Sequence, residues 1–401
     1  MKSLFFENSP ARFVAMKAAS LLSKNAALGP LSTLRYADVP EPALPNPRWL
    51  KLRNHACGLC GTDLHFMYME LDPRCFPAAS PGIAAKHLGH ELVGEVFQLG
   101  DEVGGGLQLG DRVAMRIDWP SCFQMELDPP CAQCAAGNYM LCENLGRTEP
   151  AVLHTGGGFS PYMVMHRTQP FRIPDELGDD AALLIEPMAS AVHGVLKAPP
   201  EAGQTVLVLG AGTIGLLTVA AIRSLSPETL VHCLSRYPFQ SEVVRALGAE
   251  VLDEGDGLYE RIAERTGARK AKGQFGNQIL LGGFDTIYDT VGSDHSLHHA
   301  LRWIRGGGKL VMIGINFKPG KIDYTPIWAQ EIEVVGINCH ATEEGGETSF
   351  GVAARLLLQG CVEPGAVITH RFPVAKWKDA VKTFIDKKRT GAIKIVLEHP
   401  A

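Results

Sequence analysis

The chain holds 401 residues, 46% of them hydrophobic, with 43 acidic against 38 basic side chains for a net charge of −5. That length is too great for one ordinary core and predicts two domains. The slight acidity gives no electrostatic reason to expect nucleic acid or an anionic membrane as partner. No apolar run is long enough to span a bilayer, and the opening "MKSLFFENSPARFVAMKAAS" is broken by Glu7 and Pro10, so no signal core is read and a cytoplasmic protein is expected.

Taken in order, "RWLKLRNHAC", "LVGEVFQLG" and "DRVAMRI" read as short strands separated by glycine and proline. Near residue 205 the texture changes. "TVLVLG" is a buried-strand run, "TIGLLTVAAIRSL" has helical spacing, "TLVHCLS" is a strand and "SEVVRALGA" a short helix. "FDTIYDTVG", "KLVMIGI" and "IEVVGIN" continue the strands, and this alternation predicts a doubly wound parallel sheet. Residues 266–283 read as a loop insertion of no legible purpose, and "AIKIVLE" reads as an edge-like closing strand.

"VLVLGAGTIG" contains Gly210-x-Gly212-x-x-Gly215 between a strand and a helix. Gly210 allows the tight turn, Gly212 lets a pyrophosphate approach the backbone, and Gly215 lets helix and strand pack closely. Thr213 and Ile214 begin the helix, whose free N–H groups and positive dipole end suit phosphate. This predicts a dinucleotide site. Twenty residues past Gly215 stand Ser235 and Arg236, with no carboxylate for a ribose 2′-hydroxyl. A serine and an arginine suit a 2′-phosphate, so NADP(H) is favoured over NAD(H).

Seven of the ten cysteines fall between residues 57 and 142, a clustering that points to metal sites more than to disulfides. "HACGLCGTDLHFM" contributes Cys60, "LGHELVGEV" contributes His90 and Glu91, and Glu186 is an acid within apolar "ALLIEPMASAVHG". Three protein ligands and an open position is the plan of a catalytic zinc.

With these motifs the chain resembles the medium-chain, zinc-dependent alcohol dehydrogenase superfamily. "GLCGTDLH", "GHE", "GGGFSPYMVM", "IEPMASAVH", "VLVLGAGTIG" and "VITHRFPVAKWKDAV…AIKIVLE" stand in the family's order over nearly the whole chain. The resemblance implies an α/β protein with a GroES-like β-barrel catalytic domain over 1–190 and 340–401, around a Rossmann domain over 191–339. It implies Cys60, His90 and Glu186 as zinc ligands, Glu91 as an alternate ligand behind the metal, and Asp63 as the carboxylate orienting His90. Thr62 and His65 match the proton relay, and Lys394 falls where relatives place a basic residue near the pyrophosphate. Zinc would then activate the oxygen of a small alcohol or carbonyl compound, with hydride passing to or from the nicotinamide.

The family's structural-zinc lobe has four cysteines, and "DPPCAQCAAGNYMLC" puts Asp128 where the first would stand, before Cys131, Cys134 and Cys142. Asp128 can complete a second zinc site, Cys122 is the other candidate, and a lobe without metal is the remaining reading. The segment "FMYMELDPRCFPAASPGIAAKHL" is expected to line or cover the substrate pocket. Relatives pair the edge strands of their cofactor domains, so a homodimer or homotetramer is expected, with "KLVMIGI" or "IEVVGIN" at the edge. Two rivals stay open: an NAD-dependent polyol or sugar dehydrogenase, favoured by Glu186, and a non-catalytic binding protein of the same fold.

Overall fold

The computed structural model describes every residue except Asn8, Pro73, 77–86, 117–119, Leu153 and Ala401. Part of the expected pocket segment, 77–86, therefore lies outside the described residues. The chain forms two compact units, 1–186 with 368–401, and 187–367. Residues 187–190 and 340–367, expected in the catalytic domain, fall in the second unit. The latter are anchored within it by Glu343, which meets His193 Nδ1 at 2.9 Å and also bonds the Ser349 hydroxyl.

The first unit is built on a seven-stranded sheet around the long strand Trp49–Leu59. That strand pairs antiparallel with Glu91–Leu99, Tyr162–His166 and Lys394–Glu398, and Arg112–Met115 and Pro170–Arg172 continue the sheet beyond Glu91–Leu99. Leu50, Leu52, Cys57 and Leu59 join Leu92, Val96, Ile395 and Leu397 in one buried core. Lys394–Glu398 is not an edge strand. It lies between Trp49–Leu59 and Ile368–Pro373. Ile395, Val396 and Leu397 are all buried, so both faces of the strand are covered, as a near-continuous apolar run requires.

The second unit carries a wholly parallel six-stranded sheet. Its order is Glu250–Asp253, Leu230–Ser235, Thr205–Leu209, Phe284–Asp289, Ile304–Met312 and Glu333–Gly336. Strand order reverses between Thr205–Leu209 and Phe284–Asp289, the switch point where such sheets take their ligands. Residues 266–283 are not a loop alone. Arg269–Lys272 and Gln278–Leu281 form an antiparallel hairpin, anchored by Leu280 in the unit's buried core. Among the described residues, no helix is long and apolar enough to cross a membrane.

Candidate active site and metal centres

Cys60 follows the long strand directly and caps the short helix Gly61–Met67. Asp63, which is buried, accepts the Cys60 N–H through Oδ2 at 3.0 Å and the Gly89 N–H through Oδ1 at 3.1 Å. One buried carboxylate thus fastens the cysteine segment to the His90 segment. Its Oδ1 lies 3.8 Å from His90 Nδ1, an ion-pair rather than a hydrogen-bond distance. Cys60 Sγ, a His90 nitrogen and a Glu91 oxygen lie within 4.8 Å of one another. A thiol, an imidazole and a carboxylate so gathered are a donor set suited to zinc.

Glu186 is outside that tight group. It opens the helix Ile185–Lys197 and is only 5% exposed. Burial pushes its carboxyl up to about 7, His90 pulls it down and Asp63 pushes it further up. Its electrostatic neighbours are therefore those of the cluster. Burial also raises the Cys60 thiol, with Lys394 acting against the rise. A cation at this point would offset both penalties.

Lys394 does not stand open to a cofactor. It is 1% exposed and forms an ion pair with Glu91, while its Nζ donates to the Leu59 carbonyl at 3.4 Å. The expectation of a pyrophosphate contact gives way to this partner, because strand pairing carries residue 394 into the sheet beside the metal-site strand.

Thr62 and His65 lie one turn apart on Gly61–Met67. The Cys60 thiol donates to the Thr62 hydroxyl at 3.6 Å, and His65 Nδ1 meets Glu70 Oε2 at 2.6 Å. Glu70 had no place in the sequence reading. An acid five residues beyond a histidine carries no motif, and only the turn after the helix brings them together.

The cysteine lobe is completed by Cys122, not Asp128. Sulfur atoms of Cys122, Cys131, Cys134 and Cys142 all lie within 4.8 Å of one another. Residues 121–127 fold back through Met125 N–H to Ser121 and Leu127 N–H to Cys122, returning Cys122 to the lobe. There Cys122 Sγ accepts the Cys131 N–H at 3.3 Å and Asn144 Nδ2 at 3.3 Å. All ten cysteines are free thiols. Burial pushes Cys142 up to about 11, and at Cys131 the N–H groups of Cys134 and Glu143 outweigh burial and bring it down to about 7. Four sulfur donors in one knot fit a structural zinc.

At the switch point the three glycines have separate reasons. Gly210 has φ +93°, a side chain at Gly215 would overlap the Gly210 carbonyl, and nothing lies within 4 Å of where a Gly212 Cβ would stand. That open space lies at the N-terminus of Thr213–Leu225, where the helix dipole suits a phosphate. Ser235 is buried, donating to the Tyr237 carbonyl at 3.3 Å and accepting from Ser241 at 3.0 Å. Arg236 holds Glu254 bidentately at 2.8 and 3.2 Å. Both Arg236 and Glu254 line a cavity of about 540 Å³ that begins at Gly210.

Residues 46–175 match the alcohol dehydrogenase GroES-like domain and residues 213–350 match the zinc-binding dehydrogenase family. The L-threonine 3-dehydrogenase of Pectobacterium carotovorum is 29% identical over 375 residues, covering 91% of this chain and 95% of its own. The 2R,3R-butanediol dehydrogenase structure from Bacillus subtilis superposes with a TM-score of 0.73 at 24% identity, covering 100% of this chain and 99% of its own. A putative zinc-binding dehydrogenase from Sinorhizobium meliloti, solved bound to NADP, gives a TM-score of 0.68 at 27% identity, covering 91% of this chain and 95% of its own.

Proposed function

The chain belongs to the medium-chain, zinc-dependent alcohol dehydrogenase superfamily, and on that footing we propose that it exchanges a hydride between NADP(H) and a small secondary alcohol or its ketone. The observation that carries this is the gathering of Cys60, His90 and Glu91 within 4.8 Å, with the buried Glu186 in their field. L-threonine and 2R,3R-butanediol, named by two relatives, both bear a secondary hydroxyl beside a second polar group, which supports that substrate class.

Cys60, His90 and Glu186 would hold the catalytic zinc, with Glu91 in reserve behind it. When bound, the ion supplies Lewis acidity that makes a hydroxyl easier to deprotonate near neutral pH. Thr62 receives the hydroxyl proton and His65 passes it outward. The contact of His65 Nδ1 with Glu70 Oε2 orients the imidazole on that route. Gly210, Gly212, Thr213, Ile214 and Gly215 hold the dinucleotide at the pyrophosphate. Cys122, Cys131, Cys134 and Cys142 would hold a second, structural zinc. A homodimer or homotetramer is part of this reading, supported by Glu333–Gly336 lying at the sheet's outer edge, where a second copy can pair.

A second reading, NAD(H) in place of NADP(H), is favoured by one observation: Glu254 occupies the Arg236 guanidinium and puts a carboxylate in the cavity. Assaying secondary alcohols and ketones with each cofactor, followed at the nicotinamide absorbance, decides between them. Absence of turnover with every alcohol, in zinc-loaded protein whose Cys60→Ala variant behaves alike, would overturn the enzyme reading.

A further inference from the structure

The hairpin at residues 269–281 stands outside the chemistry described so far, yet it is firmly placed. Leu280 is fully buried, Gly282 and Gly283 take φ +99° and +110° on leaving it, and a side chain at Gly283 would overlap the Trp303 carbonyl. Only glycine permits that return. A flexible surface loop would need none of this.

The hairpin's inner face bounds the 540 Å³ cavity. Lys270 and Gln278 line it from one side, while Gly210 and Arg236 line it from the strand ends. The volume is within the range of small-molecule sites. Behind Lys270 lies an aromatic floor. Its ammonium is 5.7 Å from the Tyr259 ring centre, and His299 stacks on Trp303 at 4.8 Å. The cavity thus joins the glycine turn, the strand end that meets the adenosine ribose in folds of this kind, and a cation carried by the insertion.

The charges are arranged as two pairs whose carboxylates are exposed. Arg236 is held by Glu254, Lys270 by Glu260, and Asp256 is a third acid on the wall. Glu254 is 42% and Glu260 60% exposed, so each carboxylate can swing into water and release its cation. A 2′-phosphate carries about two negative charges and three acceptor oxygens, enough to engage two cations at once.

We propose that the hairpin is a cofactor-specificity element, and that Lys270 grips the 2′-phosphate of NADP(H) together with Arg236. This rests on the NADP(H) reading above and deepens it. The insertion then has a purpose: it carries a second cation to a ribose site whose own strand end supplies only one.

The test is calorimetric binding of ADP-ribose and of 2′-phospho-ADP-ribose to the whole protein, which needs no turnover. Wild-type protein should bind the phosphorylated probe more tightly by tenfold or more. Lys270→Met should weaken that probe roughly tenfold and leave ADP-ribose within about twofold, and Lys270→Arg should restore most of the loss. If wild-type protein favours the phosphorylated probe and Lys270→Met does not change this, the hairpin inference falls and the NADP(H) reading stands. Equal weakening of both probes would make Lys270 a structural wall and also sink the inference. If wild-type protein binds ADP-ribose as tightly, the NADP(H) reading itself has failed.

Discussion

Lys394 Nζ lies against the Glu91 carboxylate with both side chains 2% exposed, and Gly58 opposite leaves no room for a methyl group between them. A Gly58 Cβ would stand 2.9 Å from Lys394 Nζ, closer than a packed carbon can approach. Breaking a buried pair strands the surviving charge. Lys394→Met should therefore destabilise the fold by about 3–5 kcal/mol in urea unfolding, and Glu91→Gln added to it should recover part of the loss. A loss below about 1 kcal/mol for Lys394→Met would mean that Glu91 is neutral and the pair unimportant.

Metal content separates the two candidate lobes. Purified protein should carry about two zinc ions per chain, and Cys122→Ser or Cys131→Ser should lower this to about one. Asp128→Ala should leave the content unchanged, since Asp128 is not in the sulfur knot. Chelation should lower thermal stability in wild type more than in Cys122→Ser. Equal zinc in wild type and Cys131→Ser would show that the knot holds none.

The contact of Glu70 with His65 has its own readout. Glu70→Ala removes the acceptor that fixes the imidazole tautomer, so kcat should fall roughly tenfold or more while KM changes little. Glu70→Gln, which keeps an acceptor oxygen, should retain more activity than Glu70→Ala. Unchanged kcat in both would show that the Glu70 contact does not position His65 for proton transfer.

Arg236 and Glu254 make opposite predictions for cofactor choice. Arg236→Ala should weaken NADP(H) binding roughly ten- to a hundredfold and leave NAD(H) nearly unchanged. Glu254→Gln frees the guanidinium and removes a like charge, so NADP(H) should bind more tightly. If Glu254→Gln instead costs NAD(H) affinity alone, the carboxylate is serving the ribose hydroxyls and the second reading gains.

One buried histidine, His166, and one half-buried histidine, His299, make stability pH-dependent. Burial brings His166 down to about 4, helped by Arg167 and Arg48, and burial with His295 and His298 does the same at His299. In the unfolded chain an imidazole titrates near 6.5. The unfolded state therefore binds more protons between about pH 6.5 and pH 4, and stability is lost as pH falls through that window. His166→Phe keeps a ring between Phe123 and Trp49 and should shrink the loss measured by urea midpoint from about pH 7 to pH 5. An identical loss in variant and wild type would clear His166 of the effect.

What was legible in the chain is what is local. Gly210 and Gly215 announce themselves because a positive φ and a carbonyl in van der Waals contact admit no side chain, and both demands act within six residues. Cys60, Asp63 and His90 were readable as motifs, since a capping cysteine and its acid sit three apart. The fourth cysteine was not, because Asp128 and Cys122 are both chemically able and only the backfolding of 121–127 chooses. Lys394 was misplaced for a similar reason: its neighbour Leu59 is 335 positions away, and register rather than sequence spacing joins them. Arg236 was visible but its hold on Glu254 was not, as the two stand just past the ends of adjacent strands.

That 335-residue separation also governs how the protein is made. The parallel sheet is drawn from one continuous stretch, 187–367, and all its strands leave the ribosome before the first unit can close. Strand Trp49–Leu59 must wait for Lys394–Glu398 with a bonding edge open and Glu91 lacking its counter-ion. At about 5–20 residues per second the wait lasts on the order of tens of seconds. Chaperone demand should therefore concentrate on the earliest-made segment of the chain. A polypeptide cut short before residue 394 leaves that edge unpaired, a template for pairing with other chains.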